Sequence, residues 1–110
     1  MNVVKFATVF VAVLASHVAS AATLPFTHVD DPRGGALVTS ITSDAANQGN
    51  IEVGDRVVYA TRIKGQISEV LSSRDLQFFA AESAPARMIF LHVIRKDTGD
   101  LEIRIAPLIQ

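Results

Sequence analysis

The chain has 110 residues, a formal charge of −1, 19% charged residues and no cysteine. That length allows one hydrophobic core. The near-neutral charge argues against a nucleic-acid footprint, and the missing thiols rule out disulfide staples and thiol chemistry.

In chain order, the first element is a leader. Met1 to Lys5 carries one positive charge, "FATVFVAVLA" from Phe6 to Ala15 is unbroken apolar sequence, and "ASA" at Ala19 to Ala21 offers the small residues that a signal peptidase accepts. The three-part pattern predicts removal of residues 1–21. It implies a product translocated across a membrane, into a periplasm, the extracellular space or an organelle lumen. A retained anchor is the alternative, although the uncharged stretch is somewhat short of the roughly 20 residues that a spanning helix needs. Membrane association is expected only if this segment is kept.

The remaining chain, 22–110, is cut into short pieces by turn residues. "LPFTHV", Leu24 to Val29, reads as a strand with proline at its start, and "DDPRGG", Asp30 to Gly35, as a turn. "ALVTSI", Ala36 to Ile41, is a second strand whose larger apolar side chains are Leu37 and Ile41. "TSDAANQG" reads as a short helical turn, capped by Ser43 or Asp44 and ended by Gly49. "NIEVGD" then leads tightly into "RVVYATRI", a strand dense enough in apolar residues that Val57 or Val58 must face a core, and Gly65 breaks it.

"SSRD", Ser72 to Asp75, is a capping-box pattern, with Leu76, Phe79, Ala80 and Ser83 following at helical spacing until Pro85 ends the helix. "RMIFLHVIR" is a long strand, "KDTGD" a hairpin connection, and "LEIRI", Leu101 to Ile105, alternates as a strand with one wet face. The predicted fold is mainly β with two helices, arranged as a small, partly open antiparallel barrel capped at its ends.

Candidates for chemistry are few. His28 with Asp30 and Asp31 comes nearest to a ligand cluster, yet zinc wants three or four convergent ligands, so no metal site is expected. His92 is expected on the outward face of its strand, and the two histidines meet only if their strands are neighbours. No serine sits in a Gly-x-Ser-x-Gly elbow, and a triad of one serine, His28 or His92 and an aspartate would be an arbitrary selection. Glu52 and Asp55 flank Gly54, where a turn role for Asp55 is the simpler account. Arg56, Arg62 and Lys64 gather near one strand as a solvated face rather than a docking patch. No dinucleotide or phosphate loop is present. The sequence therefore predicts no catalytic residue, no cofactor and no nucleic-acid partner.

"GGALVTSITSDAANQGNIEVGDRVVYA" resembles the central signature of PDZ domains: a strand, a small-residue helix carrying the pair Ala45 and Ala46, the helix-ending Gly49, and the turn Ile51 to Val58 around Gly54 and Asp55. "SSRDL" resembles the start of the family's second helix, and "RMIFLHVIRK" and "LEIRI" its last two strands. The resemblance implies that Gly49, Gly54 and Asp55 are structural.

It further implies a groove between a strand and the second helix, where a partner's C-terminal tail adds as an extra strand. Here the carboxylate loop would be Thr23, Leu24, Pro25 and Phe26, and the strand Phe26, Thr27, His28 and Val29. The helix wall would be Ser73, Gln77 and Ala80 or, one residue earlier, Ser72, Leu76 and Phe79. Leu24 and Phe26 serve as core, as pocket floor, or as both. The chain departs from the pattern at Pro25, where glycine is usual, at Ala60 to Arg62, and in lacking the customary first strand if residues 1–21 are removed. Two functions follow: a non-catalytic module that binds an extended peptide or C-terminal tail, or a structural or dimerisation domain that keeps the fold without the ligand.

Overall fold

β-Branched runs too short to span more than one sheet width, each closed by turn residues, dictate a meander of strands. The computed structural model describes residues 23–44 and 46–109. The expected leader, Ala22, Ala45 and Gln110 lie outside the described residues. In chain order the elements are β1 (Phe26–Asp30), β2 (Ala36–Ile41), β3 (Arg56–Thr61), β4 (Ile67–Glu69), α1 (Ser73–Glu82), β5 (Met88–Ile94) and β6 (Leu101–Pro107). Two 3-10 turns, Ile63–Gly65 and Ala84–Ala86, stand before β4 and after α1.

All pairings are antiparallel, in the order β1-β2-β3-β5-β6. The short strand β4, which the sequence did not announce, pairs with β3 beyond the point where β2 leaves it. Among the described residues the protein is thus mainly β, with one α-helix capping an open six-stranded sheet.

Two expectations are corrected. The sheet does not close into a barrel: its two ends meet only at the bridge between Thr23 and Ile109, made by a pair of 2.8 Å hydrogen bonds. Continuing that register would set Pro25 opposite Pro107. Neither has an N–H, so the ladder cannot propagate. The second expected helix is also absent from the described residues, where 42–44 and 46–50 run through bends and turns.

The reason for the turns is local competition for backbone groups. Ser43 Oγ accepts the Ala46 N–H at 3.3 Å, and the Asn47 side-chain amide pairs with both backbone groups of Ile51 at 2.8 and 3.2 Å. Gly49 is needed here for closeness rather than for a left-handed cap, since a Cβ on it would lie 2.3 Å from the Ile105 carbonyl oxygen.

The core lies between the inner sheet face and α1, where Val57, Leu91, Val93, Leu76 and Ala80 are fully buried. In β2 the inward residues are Ala36 and Val38, with Leu37 and Ile41 only half-buried. A bulge in β2 opposite Thr27 and His28 shifts the pairing by one residue, and Thr27 Oγ1 then reaches both Thr39 Oγ1 and Ser40 Oγ at 2.6 Å. β6 departs further: Leu101, Ile103 and Ile105 are exposed, whereas Glu102 and Arg104 take the inward side and pair with each other.

Candidate functional site

Being first in the sheet order, β1 has one side free. Pro25 spends its carbonyl on the Thr42 N–H at 2.9 Å, and Asp31 donates its N–H to Gly35 at 3.1 Å. Backbone groups alternate sides along a strand, so Phe26, His28 and Asp30 turn theirs to the free edge.

α1 lies along that edge, and its start is fixed by the predicted cap. Ser72 is extended, and its Oγ accepts the Asp75 N–H at 3.3 Å. The returning bond goes one residue further back than a capping box requires, from the Leu71 N–H to Asp75 Oδ2 at 3.0 Å. This cap delivers Ser73 to β1. Its N–H donates to Asp30 Oδ1 at 2.7 Å and its Oγ donates to the His28 carbonyl at 3.3 Å. The His28 Nδ1 lies 2.5 Å from the same Oγ. With the hydroxyl proton on the carbonyl, Nδ1–H donates to Oγ and Nε2 remains an acceptor.

The structure therefore unites Ser73 with His28 and Asp30; the sequence had grouped His28 with Asp30, and set Ser73 across the expected groove from His28, without joining the three. The pairing is not triad geometry. Asp30 holds the Ser73 backbone rather than the imidazole, and His28 meets the hydroxyl with Nδ1 while its own carbonyl takes the proton. The arrangement seats the helix N-terminus on the edge strand. Burial lowers the His28 pKa below its usual 6.5, and Asp30 offsets part of that.

The other proposed groove residues divide by depth. Leu24, Pro25, Phe26 and Ala80 are buried, with Leu24, Phe26 and Ala80 packed into the core, while Thr27, Val29 and Gln77 are exposed. Of the two helix registers, Ser73 meets β1, whereas Leu76 is wholly core. In the loop before β1 the Thr23 N–H is already committed to Ile109, and Pro25 has none.

Asp55, fully buried, accepts from the Glu52 N–H at 2.9 Å and from the Lys96 N–H at 3.0 Å, with Arg95 Nε 3.5 Å away. Its role goes beyond its own turn, because it ties the entry of β3 to the end of β5. Glu52 is instead exposed and pairs with Arg95, the same guanidinium that stands beside Asp55, so the two carboxylates share one arginine and are held as ion-pair partners.

His92 lies half-buried on the outer face, 3.2 Å from Thr61 Oγ1, and β1 and β5 are not neighbours, so the histidines stay apart. Arg56 and Arg62 are not a loose solvated face. Arg56 donates to the Gly34 carbonyl at 3.0 Å, and Arg62 grips Glu82 through two bonds while lying 5.0 Å from the centre of the Phe79 ring. That pairing holds the Glu82 carboxyl below its usual range. Sequence spacing gave no sign of these links, since each joins residues at least twenty positions apart.

Among the described residues no group of three or more histidine, aspartate or glutamate side chains is placed to hold a metal ion. No described helix is long and apolar enough to cross a membrane. A scan against protein-family models finds none that matches the chain, and a search of curated proteins finds no match either.

Proposed function

We propose that the protein is a PDZ-like, non-catalytic module that takes an extended peptide as an added strand on the free edge of β1, beside α1. One observation carries the reading: the edge strand of an open sheet has the start of a helix seated on its unpaired side, over the apolar core. The resemblance of Gly35 to Val58 to the PDZ signature supports it. The fold is compatible with such a module, and function rests on the site rather than on the fold.

The geometry narrows the ligand. Ser73 already occupies the His28 carbonyl, so an incoming strand pairs with β1 before that point, around Phe26, or displaces the serine. The loop that would grip a terminal carboxylate has lost two of its four N–H groups, one to Ile109 and one to Pro25 itself. A charge-assisted bond of that kind contributes roughly 1.5 to 3 kcal/mol, about ten-fold to over a hundred-fold in affinity. We therefore expect short apolar-ended or internal stretches to bind weakly, with little preference for a free C-terminus.

The test is an NMR titration with one apolar-ended peptide, as free acid and as amide. The reading expects similar affinities, shifts along Phe26 to Val29 and Ser73 to Ala80, and a gain for the free acid in Pro25→Gly, with circular dichroism to verify the fold. Strong discrimination by the native chain defeats the proline argument. An absence of shifts at millimolar peptide, repeated in Ser73→Ala, favours the structural reading. We further propose that the chain is translocated and loses residues 1–21; mass spectrometry of the protein recovered from cells decides this, an intact Met1 being the contrary result.

A further inference from the structure

We propose that the outer face of β3, β5 and β6 is a self-association surface, and that its occupant is a second copy of this chain. Register fixes which side chains share this face. Tyr59 stands opposite His92, which stands opposite Ile103; Phe90 is opposite Ile105; Ile94 is opposite Leu101; Thr61 pairs with both Phe90 and Ile67. Directly opposed residues point to the same side of a sheet. The face therefore gathers Tyr59, Ile67, Phe90, Leu101, Ile103 and Ile105, with Met88 at its end, and all of them are exposed, Ile103 to 60%.

On a sheet face turned to water, these positions should alternate to polar residues. Here "LEIRI" does the reverse, sending Glu102 and Arg104 inward and its three aliphatic residues out. The outward placement makes one apolar surface three strands wide. α1 packs on the opposite side of the sheet, so the peptide-binding reading is independent of this one.

Size and charge select the occupant. Seven large side chains, each about half exposed, present on the order of 600 Å² per copy, so a pair would bury about 1,200 Å², above the roughly 1,000 Å² expected of a specific interface. A single extended peptide would cover one row of such a face. In a twofold contact the same patch meets itself, which forbids like charges near the axis. The centre here, Phe90, His92 and Ile103, carries no acidic or basic residue other than the histidine, and the flank carries Arg56 and Glu69, one of each sign. A lipid surface would call for a basic rim instead.

The experiment is sedimentation equilibrium on the protein recovered from cells, from micromolar to about millimolar concentration. The expected molar mass is twice that of the chain, falling to one copy in both Ile103→Lys and Phe90→Glu. Phe78→Lys, at an aromatic on α1 as exposed as Ile103, should remain double. Circular dichroism and unchanged urea midpoints show that the variants fold. A native chain that is monomeric throughout overturns the proposal, and flotation with phosphatidylcholine vesicles would then identify a lipid surface. Association that persists in both face variants overturns it as well, pointing to another contact such as the apolar run Phe6 to Ala15.

Discussion

Val57 and Val58 are chemically identical neighbours with opposite fates. Val57 is completely buried, while Val58 is half-buried at an irregularity in the β3–β5 pairing and lines a cleft of about 400 Å³. Val57→Ala should lower stability by about 1 to 3 kcal/mol, from lost burial and a cavity that collapses only in part. Val58→Ala should cost less than half as much, and urea melts of the two compare them directly. Gly54 is constrained by its backbone, with φ +96°, and a Cβ there would meet the Lys96 side chain at 2.4 Å. Lys96 is flexible and gives way, so strain dominates: Gly54→Val should cost about 1 kcal/mol or more. The Gly-Asp pair was legible as a structural turn because glycine conformation and aspartate bonding are short-range effects. The reach of Asp55 to Lys96 was not, since that bond depends on where β5 ends.

At the level of elements, α1 was the most legible. Its cap, its apolar spacing and its end all lie within a dozen residues, and Leu76, Phe79, Ala80 and Ser83 are all buried as the spacing requires. Ser72→Ala should cost about 1 kcal/mol by releasing the Asp75 N–H. The loss should also loosen Ser73 from β1, visible as faster amide exchange at Ser73 and His28 than the stability change alone produces. The segment from Thr42 to Asn50 was misread because composition alone does not decide between a helix and turns when serine, aspartate and asparagine supply competing bonds. β4 escaped notice because three residues hold too little periodicity to register, and only β3 beside them makes them a strand. In β6 the alternation was visible but its sense was not: a period of two identifies two faces without saying which one a partner covers.

Over the whole molecule, acidification should act through His28 and two carboxylates, Asp31 and the Glu82 that Arg62 holds below its usual range. Asp31 accepts three bonds from Arg33, which hold its pKa near 2, well below the usual 3.8. Its folded value being the lower, it contributes stability above about pH 4 that is lost as pH falls toward 2. His28 is also depressed on folding, so the unfolded chain takes up its proton first; stability is complete above about pH 6.5 and declines as pH drops below that. The urea midpoint should therefore fall on acidification in two windows. Asp31→Asn and Glu82→Gln should each flatten part of the lower window and His28→Gln the upper; a midpoint unchanged between pH 7 and 5 would contradict the assignment to His28. The sequence by itself determined a small single-core β domain, the position of its helix and turns, and the absence of the common catalytic motifs, because composition, capping and periodicity act over a few residues. Tertiary structure alone decided that the sheet stays open, where two prolines would face each other, that Ser73 closes on His28 and Asp30, and that the aliphatic face of β6 turns outward. Each of these depends on which distant segments become neighbours, and no local pattern records that.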